Sequence, residues 1–269
     1  APTAMSRGRS ILYFIMEIKI KSKSKKGKYI YGIFSKSKKK TTLIVFLSGL
    51  SGSKELPLFK NASRRFLKND FNTIRFNFCR DEDDKHHKND ALKLENLSLS
   101  IYTTELKNVI NTFSKKYSSI VLVGNSFRAI VSILFLDKYK KYKKNTELVL
   151  WDPTLLPWKK KDMEIDFSFN PKDKFYHGKN KRELINETFY NECINIKNTA
   201  SILQRLNKKV CIIGAEYGGS KNSKKYFLKV SGNKNSKFFI IKKTGHCFES
   251  RKAQKDLFDK TTKFLGATS

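Results

Sequence analysis

The sequence predicts an α/β fold built on a mostly parallel central sheet flanked by helices. Short apolar runs that are typical of buried strands recur along the chain, and segments with helical apolar spacing fill the intervals between them. Strands that alternate with helices form βαβ units, and the strands of such units are parallel. With 269 residues, the chain is long enough for one domain of this kind with a substantial core.

The strands are predicted first. Residues 17–20 and 29–34 alternate apolar and polar side chains on either side of a Lys-Gly turn, which predicts an antiparallel hairpin. Further apolar runs predict buried strands at residues 43–47, 73–78, 120–123, 148–151, 210–213 and 238–241. Several of these runs end at a glycine or at Asp-Pro, where a chain leaves a strand for a turn.

Helices are predicted at residues 58–69, 97–117, 126–139 and 254–265. The second of these carries Leu99, Tyr102 and Leu106 on one stripe, as in an amphipathic helix. The third is apolar over most of its surface, which favours a helix buried against the sheet.

The domain organisation follows from two departures from this alternation. Residues 1–16 are interpreted as a leader or expression segment outside the core, and residues 17–269 as a single domain. Residues 154–206 are polar, rich in lysine and dotted with aromatic side chains, and they are too many for a simple connection. This stretch predicts a small cap over the carboxyl ends of the strands.

Composition limits the classes of partner. The formal net charge is +32, from 56 Lys and Arg against 24 Asp and Glu, which would suit a nucleic acid or an anionic membrane surface. The lysines are spread along the whole chain and no nucleic-acid-binding motif accompanies them, so we favour compositional bias and no specific nucleic-acid partner. No apolar run reaches the length of a transmembrane segment. Four cysteines without a CxxC pair favour a reducing, cytoplasmic setting, and no signal indicates an oligomeric state.

Ser126 is the candidate nucleophile. It lies in Gly124-Asn-Ser, between an apolar strand and an apolar helix, which is the context of a nucleophile elbow. The tight turn would push the hydroxyl out above the sheet, and Gly124 would avoid a clash with the neighbouring strand. Arg128 departs from the motif, which has a small residue two positions after the serine. We expect its long stem to be accommodated passively, although recruitment to an acidic substrate is the open alternative.

His246 is the candidate base, because it follows a late strand and a glycine in Lys243-Thr-Gly-His. A base for Ser126 must come from a loop at the same edge of the sheet. His86 and His87 lie in a charge-rich loop and are expected to be solvated. Two carboxylates could orient the base: Asp152 ends one strand, and Glu216 follows the next.

The candidate oxyanion donors are backbone N–H groups. Residues 46–53 place two glycines and three serines directly after a buried strand, and such a turn can aim an N–H at a developing negative charge. We nominate the N–H of Leu50 together with that of Phe127, at the start of the helix after Ser126. A phosphate-binding loop would need Gly-Lys-Ser/Thr, which is not found there.

Taken together, residues 43–53, 73–79, 120–133, 148–153, 209–217 and 237–248 resemble the α/β-hydrolase superfamily, with its strands in order. The chain is most similar to small-capped carboxylesterases and to acylglycerol-lipase-like or cinnamoyl-esterase-like enzymes. The resemblance implies Ser126 as nucleophile, His246 as base and Leu50 and Phe127 as oxyanion donors. It also implies hydrolysis of carboxylic esters through an acyl-enzyme, without metal or cofactor. The substrate would be a small-molecule ester, and the aromatic side chains of the cap predict that its acyl or alcohol group is hydrophobic.

The chain departs from the family in two further places. Ser48-Gly49 stands where the family has His-Gly, and Tyr217 stands where it usually has the acid. Asp152 is favoured over the adjacent Glu216, because some lipases of the superfamily take the acid from an Asp-Pro after the preceding strand. Two alternatives stay open: a catalytically impaired binding protein with this fold, and a basic protein that binds nucleic acid or an anionic membrane.

Overall fold

The computed structural model describes residues 14–37, 41–50, 52–80, 88–154, 159–179, 183–196, 198–230, 232–233 and 235–266. His86, His87 and residues 1–13 of the predicted leader lie outside these ranges. Strand β1 begins at Phe14, ahead of the predicted start at Glu17, because the backbone of residues 14–16 pairs with Lys36, Ser35 and Phe34 of the next strand.

The strands occupy the following positions: β1 Phe14–Lys21, β2 Tyr29–Lys36, β3 Thr42–Leu47, β4 Asn72–Asn77, β5 Ser119–Asn125, β6 Thr146–Trp151, β7 Phe167–Asn170, β8 Phe175–Gly178, β9 Leu184–Ile185, β10 Val210–Ala215 and β11 Lys237–Ile241. Eight of them form the main sheet in the order β1-β2-β4-β3-β5-β6-β10-β11. From β4 to β11 every neighbouring pair is parallel, whereas β1, β2 and β4 pair antiparallel. The predicted hairpin and the mostly parallel sheet are both found.

The helices are α1 Pro57–Lys68, α2 Leu99–Ser114, α3 Arg128–Lys138, α4 Lys160–Asp166, α5 Glu187–Ile194, α6 Thr199–Leu206, α7 Ser220–Val230 and α8 Arg251–Phe264. Short polar side chains fix several of their starts: Ser98 accepts the N–H of Ile101 at 3.2 Å, and Ser250 that of Ala253 at 3.1 Å. Such caps satisfy N–H groups that have no partner inside a helix.

The sheet buries both of its faces. Leu43, Val45 and Leu47 of β3 pack in a core with α2, α3 and α6, whereas Ile44 and Phe46 pack in a second core with α1 and α8. A parallel sheet covered on both sides needs such continuous apolar strands. Connections between parallel strands return across these faces, and the loops that leave the strands collect at one edge of the sheet.

The segment between β6 and β10 carries its own small sheet, in the order β7-β8-β9, together with α4, α5 and α6. Asn186 ties it to the main domain by donating its amide to the carbonyls of Glu95 and Leu97, at 2.7 and 3.0 Å. The Phe189 ring of α5 lies 5.5 Å from the Phe127 ring, centroid to centroid. The predicted cap region therefore packs directly beside the start of α3.

Two further properties concern the described part of the chain. None of its helices has the length and apolarity that crossing a membrane would require. Within the same ranges, no group of three or more His, Cys, Asp or Glu side chains is arranged to hold a metal ion.

Candidate active site

Ser126 stands in a tight turn between β5 and α3. Its φ is +53°, in the left-handed region that L side chains seldom adopt without strain. Its N–H donates to the carbonyl of Trp151 at 3.1 Å, and its own carbonyl accepts the N–H groups of Ala129 at 3.2 Å and Thr154 at 3.1 Å. The end of β6 and the first turn of α3 thus hold the strained turn in place. Helix α3 consequently begins after Ser126, at Arg128.

Gly124 allows a close approach in this turn, but its neighbour is not the adjacent strand that we expected. A Cβ on Gly124 would lie 2.8 Å from both the Ala129 Cα and the Ser132 Oγ. Both atoms belong to helix α3. The glycine is therefore required because α3 packs directly over the end of β5.

The two predicted oxyanion donors lie close to Ser126 in the chain or in space. A Cβ on Gly49, which precedes Leu50, would lie 3.5 Å from the Ser126 Cβ and 3.9 Å from its Oγ. Phe127 directly follows the serine and forms the N-cap of α3. In the described part of the chain, the Leu50 N–H makes no backbone hydrogen bond. The loop after β3 thus borders the turn at Ser126.

His246 and Asp152 form a hydrogen-bonded pair at the same sheet edge. The Nδ1 atom of His246 lies 2.5 Å from the Oδ2 atom of Asp152. Asp152 follows β6 and is 1 % exposed, whereas the His246 side chain, on the loop after β11, is 45 % exposed. Because a carboxylate accepts hydrogen bonds, Nδ1 carries the shared proton and Nε2 is left able to accept another.

The Asp152 carboxylate is held by backbone donors besides His246. Its Oδ1 accepts the N–H of Ala215 at 2.9 Å, and its Oδ2 accepts the N–H of Gly219 at 3.0 Å. Its own N–H donates to the carbonyl of Ile213 at 2.7 Å. The end of β10 therefore orients the carboxylate and compensates for its burial.

Glu216, the other candidate acid, is engaged elsewhere. Its carboxylate accepts the backbone N–H of Lys243 at 2.7 Å and the Nζ of Lys242 at 2.9 Å. The Lys243 N–H and then the Lys242 ammonium lower the pKa of Glu216 below its ordinary value. His246 is therefore paired with Asp152, while Glu216 is paired with the segment that precedes the histidine.

The pKa of His246 is raised above the ordinary value of 6.5. The main cause is the hydrogen bond to Asp152, which favours the protonated ring; partial burial opposes it. The pair therefore increases the basicity of the imidazole, as a general base requires.

Gly218 leaves the space that the Asp152 carboxylate occupies. A Cβ at position 218 would lie 2.3 Å from the Oδ2 of Asp152, whereas a Cβ on Gly219 would lie 3.6 Å from its Oδ1. We expect Gly218→Ala to displace the carboxylate and lower kcat for an ester by about 100-fold, the typical cost of misplacing a group by an ångström. The matched variant Gly219→Ala keeps its N–H and should stay within about threefold of wild type. Equal kcat values in steady-state assays of the two variants would contradict this account.

Arg128, the residue that departs from the motif, is 1 % exposed. Its side chain does not reach solvent, because it lies in the core between the loop after β3 and helix α2. A guanidinium in this position is shielded from solutes, so the structure does not support recruitment of Arg128 to an acidic substrate.

Comparison with known proteins gives structural matches alone. The sequence matches no protein-family model and no curated protein. Est1E from Butyrivibrio proteoclasticus, solved with ferulic acid bound, aligns with a TM-score of 0.71 and 14 % identity over 93 % of this chain and 99 % of that one. The Pyrococcus furiosus esterase Pf2001 aligns with a TM-score of 0.65 and 13 % identity over 98 % and 95 %.

The alpha/beta hydrolase GrgF from Penicillium sp. sh18 aligns with a TM-score of 0.68 and 11 % identity over 93 % of this chain and 97 % of that one. At such identities the likeness establishes the fold alone. The fold predicted from the sequence is confirmed.

Proposed function

We propose that this chain, which has the α/β-hydrolase fold, is a serine hydrolase that cleaves carboxylic esters through an acyl-enzyme. The observation that carries the proposal is the Asp152–His246 hydrogen bond at the sheet edge where the strained turn presents Ser126. A serine hydroxyl becomes a nucleophile when a base accepts its proton, and the base needs a third group to orient it. Structural neighbours that are esterases support an ester as the bond cleaved.

In the proposed acylation step, Nε2 of His246 takes the hydroxyl proton of Ser126 while Oγ attacks the ester carbonyl carbon. The carbonyl oxygen becomes an oxyanion and accepts hydrogen bonds from the N–H groups of Leu50 and Phe127. Protonated His246 is stabilised by Asp152 and then passes its proton to the departing alcohol. The C–O bond breaks, and the acyl group remains on Ser126.

Deacylation repeats these steps with water. Neutral His246 takes a proton from water, and the resulting hydroxide attacks the acyl carbonyl carbon. The oxyanion again accepts hydrogen bonds from the Leu50 and Phe127 N–H groups. When the intermediate collapses, Ser126 leaves with the proton from His246 and the carboxylic acid is released.

A hydrophobic acyl or alcohol group is the substrate class that we propose. The reason is the aromatic composition of residues 154–206, the region from which Phe189 packs against Phe127 beside Ser126, at a centroid distance of 5.5 Å. Phe189 and Phe127 are themselves buried, so other apolar side chains of this region would contact the substrate. Apolar groups on the substrate gain free energy by leaving water for an aromatic surface.

Pre-steady-state kinetics with p-nitrophenyl esters test the proposal. An acyl-enzyme that forms faster than it hydrolyses releases a burst of p-nitrophenol that approaches one equivalent of enzyme, followed by slower turnover. A folded protein that gives neither a burst nor turnover on acetate to octanoate esters would instead support a binding protein with this fold.

The pH dependence of turnover should reflect the raised pKa of His246. The imidazole must be neutral to accept the Ser126 proton, so kcat/KM should rise with pH, with an inflection above 6.5. Removing the Asp152 charge removes the main cause of the raised pKa, so the residual activity of Asp152→Asn should have its inflection at lower pH. Rate profiles between about pH 5 and 9 measure both values. A wild-type inflection below the ordinary histidine pKa would contradict the assignment.

A further inference from the structure

Arg128 is an unusual residue to find in the core beside the turn at Ser126. Its guanidinium lies against two aromatic rings, 4.6 Å from the centroid of Phe78 and 4.2 Å from that of Tyr102. Among the described residues, its Nε has no hydrogen-bond partner. Burying a cation is costly, and aromatic faces offset a part of that cost.

The polar contacts of Arg128 connect helix α3 to the loop after β3. Its Nη2 donates to the backbone carbonyl of Leu50 at 2.8 Å and to the hydroxyl of Tyr102 at 3.2 Å. Arg128 is the first residue of α3, two positions after Ser126. One side chain thus joins the helix that follows the nucleophile to the loop that contains Leu50.

This contact bears on the direction of the Leu50 N–H. That N–H shares a peptide plane with the Gly49 carbonyl, which accepts the N–H of Gly52 at 3.0 Å. In a trans peptide the two groups point in opposite directions, so this bond orients the N–H. The next peptide plane holds the Leu50 carbonyl, which Arg128 binds. Both planes that meet at the Leu50 Cα are therefore fixed, one by the turn and the other by the guanidinium.

We propose that Arg128 is a positioning residue for ester hydrolysis, which anchors the Leu50 carbonyl and so keeps the turn that directs the Leu50 N–H at the oxyanion. This inference rests on the proposed function. Without the guanidinium, the Leu50 carbonyl loses its donor, and the peptide plane after Leu50 can rotate about the Leu50 Cα. This rotation displaces the Gly52 N–H and weakens its hydrogen bond to the Gly49 carbonyl, which orients the Leu50 N–H. The oxyanion donor is then misaligned in the transition state, while ground-state binding of a neutral ester changes little.

The test compares Arg128→Met, Arg128→Lys and the control Arg65→Met on a neutral p-nitrophenyl ester. Methionine fills the aromatic cleft without donating, so kcat should fall by about 10- to 100-fold, up to the loss seen when one oxyanion donor is removed, with KM within about threefold. Lysine keeps a cationic donor and should recover a part of kcat. Arg65 lies on α1 and pairs with Asp259, so its loss should leave kcat within about twofold of wild type.

Inhibition by a trifluoromethyl ketone supplies a second readout, because its adduct with a serine carries an oxyanion. Its Ki should rise in parallel with the fall in kcat, an effect that a merely structural role would not produce. If thermal unfolding shows that Arg128→Met is not folded, the same comparison is made with Arg128→Lys. For that variant we expect a smaller fall in kcat and a parallel, smaller rise in Ki. A folded Arg128 variant with wild-type kcat and Ki, or a loss confined to KM, would overturn the inference. Failure of the proposed function is distinguishable, since the wild-type protein itself would then lack ester turnover.

Discussion

Replacing Ser126 with alanine is expected to lower kcat for a p-nitrophenyl ester by about 10⁴- to 10⁶-fold. In the proposed mechanism the hydroxyl supplies the atom that forms the acyl-enzyme, and neither His246 nor the N–H groups of Leu50 and Phe127 can replace it. Residual turnover would come from water activated by His246 and from the oxyanion donors. Steady-state assays at high enzyme concentration, together with loss of the p-nitrophenol burst, measure the effect.

Ser119→Ala is the matched control, because Ser119 begins the same strand, β5, and lies at the end of the strand away from Ser126. It should keep kcat within about threefold of wild type. The thermal unfolding temperature of Ser126→Ala should not fall, since alanine removes a half-buried hydroxyl and leaves the turn intact. If a folded Ser126→Ala protein still gives the burst, the nucleophile lies elsewhere.

Replacing Asp152 with asparagine is expected to lower kcat by about 10⁴-fold, the scale found when a triad carboxylate becomes an amide. The amide oxygen can still accept the N–H groups of Ala215 and Gly219, which would turn the NH₂ group toward Nδ1 of His246. The histidine would then carry its proton on Nε2 and could not accept one from Ser126. Steady-state kinetics measure the loss, and thermal unfolding checks that the variant folds.

Glu216→Gln is the comparison that separates the two candidate acids. Glutamine retains an acceptor for the Lys243 N–H, and Glu216 is partly exposed, so kcat should stay within about threefold of wild type. Equally mild effects from Asp152→Asn and Glu216→Gln would mean that neither carboxylate orients the base. A larger loss from Glu216→Gln would reverse the assignment.

Much of the fold could be predicted because the local pattern and the tertiary structure agree. The apolar run of β3, for example, is buried on both faces, and its boundaries match the predicted residues 43–47 to within one position. Helix α7 was not predicted, since Ser220–Val230 carries several lysines and few apolar side chains. The elements of the cap were also missed, because short strands such as Leu184–Ile185 leave no periodic signal in the sequence.

The candidate site could be proposed from the sequence where its residues are consecutive in the chain. The sequence Gly124-Asn-Ser between a strand and a helix indicated the turn, and His246 followed from its place after the last strand. The choice between Asp152 and Glu216 was not decidable locally, because each carboxylate follows a parallel strand at the same edge. It depends on long-range contacts, including the space that Gly218 leaves for Asp152. The glycine pair at 218–219 was the available signal.

The contacts of Arg128 were even less predictable from the sequence, because they too are long-range. Its place in the motif suggested a tolerated irregularity, but its hydrogen-bond partner Leu50 lies 78 positions earlier in the chain. Side-chain spacing within one helix carries no information about such a partner. The aromatic residues that flank the guanidinium, Phe78 and Tyr102, likewise come from separate elements that meet in the folded chain.

The central claim is that Ser126 is a nucleophile activated by His246 and Asp152. Labelling of the wild-type protein with a fluorophosphonate probe, followed by peptide mapping with mass spectrometry, tests it most directly, because such probes react covalently with activated serines. We expect one adduct per chain, located on the peptide that contains Ser126, and much slower labelling of Asp152→Asn. An adduct on another residue, or a folded wild-type protein that remains unlabelled, would contradict the claim.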